Sequence, residues 1–150
     1  MARLSAAVNV VTTDGPGGRA GFTASAVCSV TDTPPTLLVC ANRANDSYPA
    51  LRANGVLCVS TLSAQQQAIS PVFAGLTDHP MEARFDAGEW DVMVTGAPVL
   101  KDCVVAFDCR IDQVVTAGTH DVFFCVVEGV RIGTECEVLI YYGREYHSLG

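Results

Sequence analysis

Apolar and β-branched residues recur along this chain in short runs, and clusters of turn-forming residues separate many of them. The first run covers 7–13 and ends at Asp14-Gly15-Pro16-Gly17-Gly18, which cannot continue a strand. The pattern predicts six or seven strands with hairpin-like turns. The candidate strands are 7–13, 22–30, 36–41, 55–61, 104–115, 122–127 and 138–142.

Two short helices are predicted in the gaps between these strands. Ser47 can cap a helix over 48–52, with Pro49 tolerated in its first turn. Ser63 begins a Ser-Ala-Gln-Gln sequence with capping-box spacing, which predicts a helix over 65–73 that Pro71 kinks or restarts. Residues 74–95 contain the only tryptophan and are expected to form a long structured excursion.

Strands joined by hairpin-like turns, with only short helices, are typical of an antiparallel barrel or sandwich. No alternation of strand and helix supports a parallel nucleotide-binding sheet. Gly15-Pro16-Gly17-Gly18 leads into a strand rather than a helix, so it is expected to be a hairpin turn and not a phosphate-binding loop. At 150 residues, the chain is expected to form a single domain over 1–150.

The composition indicates an acidic protein that buries part of its surface in an oligomer. Hydrophobic residues make up 49% of the chain and charged residues only 17%, against about a quarter in a typical domain. The net charge of −7 argues against nucleic acid or an anionic membrane surface as a partner, because both need clustered Lys and Arg. A phosphate-bearing ligand would therefore be held by backbone amides and a few arginines.

The seven cysteines are expected to be buried, reduced thiols. Their odd number and apolar surroundings indicate small core residues, which implies a reducing compartment. No CxxC pair or zinc-ligand spacing occurs, so no metal site is predicted. With neither a signal-peptide pattern nor a membrane-spanning apolar run, we expect a cytoplasmic protein. The cysteines are Cys28, Cys40, Cys58, Cys103, Cys109, Cys125 and Cys136.

A strand of unusually small side chains covers 21–29. Such a strand packs a core poorly, and small side chains often mark a place where a ligand approaches the backbone. The hydroxyls and amides along one edge of this strand can hydrogen-bond a flat heterocycle that carries alternating donors and acceptors. A close strand crossing in a barrel or a dimer interface explains the same residues, and both interpretations stay open.

Two further places can bind an anion. The segment 42–47 closes a strand and opens a helix, and a helix N-terminus offers unpaired amides to a phosphate. Alternatively, Asp46 or Ser47 only caps the helix. Arg84, followed by Phe85, is either an anion ligand or a solvated charge on a loop; a chain with nine Lys and Arg makes each one a better anion candidate.

Near the C-terminus, His120 and Arg144 are the candidates for chemistry. His120 lies between two strands and can act as a general acid or bind a cofactor amide, although a hairpin corner explains its neighbours Gly118 and Asp121. Residues 141–147 gather aromatic rings around Arg144, which suits nicotinamide or adenine and a pyrophosphate, or forms only a C-terminal strand. No Ser-His-Asp or Cys-His order stands out.

Taken together and in order, these segments closely resemble the short-chain flavin reductases. These proteins are the reductase components of two-component flavin-dependent monooxygenases, such as those acting on 4-hydroxyphenylacetate or chlorophenols. The match covers nearly the whole chain, and the ordered set is far more specific than any one piece. The matching segments are 4–13, 21–30, Pro34-Pro35, 73–75, 81–85, 96–100, 118–120 and 139–142.

The resemblance implies an all-β fold with short helices, an FMN-binding split barrel of Greek-key type that works as a homodimer. The flavin would lie near the subunit interface. The residues that look like those meeting its isoalloxazine ring are Thr23, Ala24, Ser25, Ala26 and Val27. Those that look like the continuation toward the ribityl and phosphate groups, and that complete the flavin site, are Cys40, Asn42, Ser47, Arg84 and Phe85. His120 looks like the catalytic residue beside the nicotinamide, with Tyr142 and Arg144 lining that pocket.

The resemblance also implies hydride transfer from NADH to FAD or FMN and release of reduced flavin to a partner monooxygenase. The acidic balance and the scarce arginines favour NADH over NADPH. Two alternatives stay open. The chain can be a split-barrel flavoprotein that retains FMN as a prosthetic group, as pyridoxamine-phosphate-oxidase-like proteins do, or a flavin-binding module without turnover.

Overall fold

The computed structural model describes residues 1–134 and 137–150, and strands dominate it. The strands are β1 (Ala6–Ala7), β2 (Asn9–Thr13), β3 (Ala20–Ala24), β4 (Val27–Asp32), β5 (Pro35–Asn42), β6 (Val56–Thr61), β7 (Trp90–Asp91), β8 (Val99–Leu100), β9 (Val105–Ala117), β10 (His120–Ile132), β11 (Val138–Tyr142) and β12 (Glu145–Leu149). The helices are α1 (Tyr48–Asn54), α2 (Ile69–Phe73) and α3 (Met81–Arg84), with 3-10 turns at Ala64–Gln66 and Phe85–Ala87.

The main sheet has seven strands in the order β3-β2-β6-β9-β10-β5-β4, and every neighbouring pair is antiparallel. A three-stranded sheet, β1-β11-β12, and a two-stranded sheet, β7-β8, accompany it. The predicted antiparallel, mostly-β fold is therefore confirmed. The hydrogen-bonded ladder of the main sheet ends at β3 and β4 and does not close into a continuous barrel.

Two hydrophobic clusters lie on opposite faces of the main sheet. Val10 belongs to one cluster and its neighbour Val11 to the other, and Cys58 and Val59 divide in the same way. Because consecutive side chains of a strand point to opposite faces, β2 and β6 are covered on both sides. Double coverage explains why these strands appear in the sequence as unbroken apolar runs rather than as alternating ones.

The predicted strand 22–30 is wrong as a single element, because the chain leaves β3 after Ala24 and enters β4 at Val27. Ala24 pairs with Asn9 of β2, whereas Val27 pairs with Val39 of β5. These strands form the two opposite edges of the main sheet. The three steps from Ala24 to Val27 span at most about 11 Å of chain, so the sheet must curl until its edges approach each other at 25–26.

The predicted second helix is divided into two elements. Ser63 forms the predicted capping box with Gln66 at the 3-10 turn, and the chain starts α2 at Ile69 with Pro71 in its first turn. The predicted hairpin turn at 14–18 is confirmed by the hydrogen bond from the Gly18 amide to the Gly15 carbonyl, 2.9 Å. Within the described residues, no helix is long and apolar enough to cross a bilayer.

The strand β12 lies beyond the last candidate strand, 138–142, and a C-terminal strand was only one of the two interpretations of 141–147. Gly143 and Arg144 both have positive φ, 62° and 65°, and form the two-residue turn between β11 and β12. Positive φ at both positions is the requirement of the tight hairpin turn that suits twisted strands. Most of β12 is exposed, so its residues lack the apolar alternation that marks a strand in a sequence.

Candidate functional site

The outer edge of β3 is the side of this strand that faces away from β2. The Gly21 carbonyl points to this side, because it accepts hydrogen bonds from Ser47 Oγ, 3.0 Å, and Arg84 Nη1, 2.9 Å. Backbone groups two residues apart in a strand point the same way. The N–H and C=O groups of Thr23 therefore lie on the outer edge too, where the described strands provide β3 with no second partner.

A groove follows this edge, and we call it the β3 groove. It consists of three pockets of about 430, 200 and 420 Å³. The first two share Thr23 and Ala74, and the second and third share Ser25 and Tyr141. The shared residues make the pockets neighbours, so the groove extends from Arg84 at one end to Arg144 at the other.

Arg84 is buried, so its interpretation as a solvated loop charge is wrong. The short helix α3 places its guanidinium against β3, where Nη1 donates to the Gly21 carbonyl and Nη2 contacts Asp46 Oδ2 at 2.7 Å. Within the described part of the chain, the buried Nε has no hydrogen-bond partner. Arg84 lines the first pocket of the groove, and a cation in that position is suited to an anionic ligand.

Gly75 allows the chain to pass close to this guanidinium. A Cβ atom at this position would lie 3.3 Å from Arg84 Nη2, and the backbone has a positive φ of 74°. Both observations favour glycine at a residue that lines the same pocket as Arg84.

Phe85 lies behind the groove, in the core. Its ring packs edge-on against Phe73 and Trp90, with centroids 5.2 and 5.0 Å away, and the Arg19 guanidinium lies 4.4 Å from its centroid. The ring is buried, so Phe85 supports the neighbouring Arg84 from within the core. A direct contact between Phe85 and a ligand stays a prediction.

Ser47 occupies the N-cap position of α1, but its side chain does not cap the helix. Its hydroxyl instead donates to the Gly21 carbonyl, which ties the start of α1 to β3. The prediction of a side-chain cap at Ser47 is therefore wrong. Ser47 is fully buried, and the tie places the adjacent Asp46 beside the first pocket of the groove.

The crossing between the two sheet edges forms the middle of the site. Ser25 and Ala26 are exposed there, and the Cys40 amide donates to the Ala26 carbonyl at 3.0 Å. Burial and then the nearby Cys28 raise the pKa of the Cys40 thiol. Cys40 is therefore a neutral side chain at physiological pH and not a nucleophile.

His120 and Asn42 face each other where β10 begins and β5 ends. Both side chains are exposed. Thr119 Oγ1 lies 2.9 Å from His120 Nδ1, and Asn42 Oδ1 accepts a hydrogen bond from the Ala44 amide. His120 is thus presented to solvent at the tip of a hairpin, as a residue that meets a diffusing partner must be.

A network that sequence analysis missed holds this hairpin tip, and we call it the Asp121 network. The buried Asp121 carboxylate accepts hydrogen bonds from the Tyr48 and Thr116 hydroxyls and from Arg43. These hydrogen bonds, with that of Tyr48 first, hold the pKa of Asp121 below its usual range. The only sequence signal was that Asp121 follows His120, and a turn residue explained it equally well.

Arg43 also binds the backbone of the turn that carries His120. Its guanidinium donates to the carbonyls of Gly118, 2.6 Å, and His120, 3.0 Å, and its amide donates to the Thr119 carbonyl, 3.0 Å. Arg43 therefore fixes this turn with three hydrogen bonds to its backbone.

Tyr142 and Arg144 lie on the β11–β12 hairpin, where the Gly143 amide donates to the Ala2 carbonyl at 2.7 Å. Arg144 lines the far pocket of the groove, but the tyrosines that line the groove are Tyr141 and Tyr146. Adjacent side chains on a strand alternate in direction, so Tyr142 points elsewhere than Tyr141. The alternation of side-chain directions along 138–142 is the sequence signal that could have distinguished Tyr141 from Tyr142.

Four of the six cysteines in the described residues are buried, as the sequence predicted, whereas Cys40 is half-buried. Burial raises the pKa of the Cys58 and Cys125 thiols to about 12 and raises that of Cys109 as well. Cys28, in contrast, is exposed on β4, and Cys136 lies outside the described residues. Among those residues, no group of three or more His, Cys, Asp or Glu could hold a metal ion.

This fold and groove agree with a defined class of proteins: the chain belongs to the flavin reductase like domain family, whose profile matches residues 1–150. It is 59% identical over 149 residues to the FMN reductase (NADH) RutF of Variovorax paradoxus (strain S110), a match that covers 99% of this chain and 82% of that protein. The resemblance to flavin reductases inferred from the sequence is confirmed.

Two solved structures show the same fold. NADH:FAD oxidoreductase SgcE6 of Streptomyces globisporus C-1027, in complex with NAD and FAD fragments, superposes with a TM-score of 0.89 at 27% identity, covering 99% of this chain and 88% of that one. BorF, the flavin reductase component of a bacterial two-component tryptophan halogenase, has a TM-score of 0.90 at 26% identity, covering 99% and 92%.

Proposed function

We propose that this protein is an NADH-dependent flavin reductase. A hydride passes from C4 of the nicotinamide to N5 of oxidised FMN or FAD, one proton is taken up, and NAD⁺ and reduced flavin leave. The observation that carries the proposal is the β3 groove, in which an open strand edge of small residues leads to a buried arginine. The family membership and the names of the relatives support the same reaction.

The flavin ring supplies the redox chemistry, and the chain's residues bind and orient it. The backbone from Thr23 to Val27 offers donors and acceptors to the ring along the outer edge of β3. Arg84 receives the phosphate, beside the chain segment that runs through Cys40, Asn42 and Ser47. Arg144 lines the far pocket of the groove, and the exposed His120 and Tyr142 are proposed to orient the nicotinamide together with it.

The flavin is a substrate in this proposal, not a retained group. The groove lies at the surface, since Ser25, Ala74 and Tyr141 are all exposed, and a ligand bound there stays in contact with water. FMN is the first flavin to test, because the FMN reductase RutF is 59% identical to this chain. FAD is the second, because SgcE6 is named an NADH:FAD oxidoreductase.

We further propose that a single domain over 1–150 forms a homodimer in the cytoplasm and supplies reduced flavin to a partner monooxygenase. The edge strand β4 supports the dimer, because it is exposed from Cys28 to Asp32, including the apolar Val30. The buried cysteines support a reducing compartment, because they serve as small apolar core residues. BorF, the reductase component of a two-component halogenase, supports a partner that uses the reduced flavin.

Steady-state kinetics test the reaction directly. NADH and NADPH oxidation are measured with FMN, FAD and riboflavin each in excess, and NADH with FMN is expected to give the highest kcat/KM. Gel filtration of protein mixed with FMN provides the second measurement, and the flavin is expected to separate from the protein.

Two results would replace the proposal with one of its alternatives. Stoichiometric yellow protein after gel filtration would indicate a flavoprotein that retains FMN. NADH oxidation that does not rise with added flavin would indicate a flavin-binding module without turnover. Light scattering during the same gel filtration measures the mass, and a monomer would contradict the homodimer.

A further inference from the structure

Asp46 forms an ion pair with Arg84 inside the first pocket of the β3 groove. The closest contacts are Nη2 to Oδ2, 2.7 Å, and Nη1 to Oδ1, 3.4 Å. The two side chains differ sharply in exposure: that of Arg84 is 7% exposed and that of Asp46 is 60% exposed. The Asp46 carboxylate is therefore the partner that can move out of the ion pair, because it is already exposed to water.

The ion pair is not needed to shape the loop that carries Asp46. Three other hydrogen bonds already hold this loop: Ala44 amide to Asn42 Oδ1, 2.9 Å, Asn45 amide to Asn42 carbonyl, 2.9 Å, and Ser47 amide to Asn45 Oδ1, 2.8 Å. The two asparagines form local turns that do not involve the Asp46 carboxylate. The ion pair between Asp46 and Arg84 is therefore not required for the loop conformation and can have a different role.

A ligand phosphate and the Asp46 carboxylate would compete for the same donors. Nη2 already donates to Asp46, and a phosphoryl oxygen that approaches the guanidinium from the groove meets this carboxylate beside it. Two anions at one guanidinium repel each other, so the phosphate must displace the carboxylate or tolerate its charge. Either event weakens the binding of a phosphorylated ligand and leaves an uncharged one unaffected.

We propose that Asp46 is a specificity-determining residue that lowers the affinity of the groove for phosphate-bearing flavin. It acts as an internal competitor, which neutralises Arg84 when the groove is empty and helps to expel the phosphate when a flavin is bound. This inference rests on the proposed function, since it assumes that the flavin phosphate reaches Arg84. A reductase that releases its product benefits from such a residue, because tight binding of the phosphate would retain the flavin.

The test is a comparison of FMN with riboflavin, which differ only by the phosphate. Equilibrium titration of the Asp46→Asn variant is expected to show about tenfold tighter binding of FMN, with riboflavin changed by less than about twofold. The matched control is Asp112→Asn, which removes the same charge from another exposed aspartate that pairs with an arginine, Arg110. In this control, the ratio of the FMN and riboflavin affinities is expected to equal that of the wild type.

Three outcomes overturn the inference: an unchanged FMN affinity in Asp46→Asn, an equal change for FMN and riboflavin, or the same change in Asp112→Asn. The proposed function fails separately, when the wild type binds flavin but does not oxidise NADH with it. In that case the affinity ratio still decides the role of Asp46. If the wild type binds neither flavin, both proposals are wrong.

Discussion

The ion pair at the Arg84 end of the β3 groove and the Asp121 network at the His120 hairpin have opposite arrangements of charge. In the first, the cation Arg84 is buried and its carboxylate partner is exposed. At the His120 hairpin the anion Asp121 is buried, with its side chain 2% exposed, and its partners Arg43 and Arg52 are 39% and 49% exposed. Because the buried partner is a cation in one cluster and an anion in the other, we expect the two clusters to have different roles.

The two buried charges differ in whether all of their polar atoms have hydrogen-bond partners. Asp121 accepts hydrogen bonds from Tyr48, Thr116 and Arg43, whereas Arg84 keeps an Nε without a partner among the described residues. The Arg84 side chain also lines the first pocket of the β3 groove, whereas Asp121 lines none of the three pockets of the groove. The comparison therefore assigns structure to the Asp121 network and binding to Arg84.

The largest effect is expected from Asp121→Ala, which removes the acceptor of several hydrogen bonds at once. The melting temperature should fall by about 8 °C, measured by thermal unfolding. Asp112→Ala is the matched control, because this exposed carboxylate makes a single ion pair among the described residues, with Arg110, and it should change the value by less than about 2 °C. Equal losses in the two variants would contradict the structural role of Asp121.

The pH dependence of the melting temperature, compared between wild type and Asp121→Ala, provides a second test of this role. A lowered pKa in the folded state means that the contribution of Asp121 is complete above its unfolded pKa, about 4, and is lost as the pH falls below it. The difference in melting temperature between wild type and Asp121→Ala should stay constant from about pH 7 to 5 and shrink below about pH 4. A difference that grows on acidification would refute the assignment.

Arg84→Met tests the binding cluster. Loss of the charge-assisted hydrogen bonds to the phosphate should lower the FMN affinity about 30-fold, with riboflavin affected by less than about threefold. Equilibrium titration with both flavins measures this, and circular dichroism checks that the variant is folded. Equal losses for FMN and riboflavin would show that Arg84 only supports β3 through the Gly21 carbonyl.

His120→Ala tests whether the hairpin tip held by the Asp121 network acts on the nicotinamide. We expect kcat/KM for NADH to fall about tenfold with little change in melting temperature, because the side chain is exposed. His79→Ala is the control, since His79 is also exposed and its Nδ1 lies 2.7 Å from Thr77 Oγ1. Unchanged NADH oxidation in His120→Ala would remove this residue from the site.

The smallest effect is expected from Tyr48→Phe, which deletes one hydroxyl from the Asp121 network. The melting temperature should fall by about 3 °C, because one hydrogen bond to a carboxylate is lost while the ring still packs near Phe123. A loss as large as that of Asp121→Ala would mean that the network depends on Tyr48 rather than on the carboxylate.

The strands of the main sheet were predictable where burial on both faces leaves an apolar run. β2 and β6 are such strands: the predicted strand 55–61 matches β6 to within one residue, whereas the predicted strand 7–13 joins β2 to part of β1, which pairs with β11 in another sheet. β12 was not predictable in this way, because four of its five residues are exposed. The break at Ser25 was also hidden, since small residues continue across it and only the pairing with β2 and then β5 reveals two strands.

The site was predictable in its chemistry but not in its contacts. Small side chains over 21–29 indicated an accessible backbone, and β3 does border a groove. Burial of Arg84 and of Asp121 depends on partners 38 and 73 residues away in the chain, Asp46 and Tyr48, and local sequence does not encode such distant pairs. The separation of Tyr141 from Tyr142 needed the strand register.

The Ser25-Ala26 crossing has a mechanical consequence. It tethers the two margins of the curled main sheet, so β3 cannot swing away from β4 to widen the groove. Any adjustment to a thicker or longer ligand must come from the opposite wall, where residues 43–47 and 74–84 lie outside the main sheet. The β3 side of the groove is therefore rigid, and only the opposite wall can adapt to the ligand.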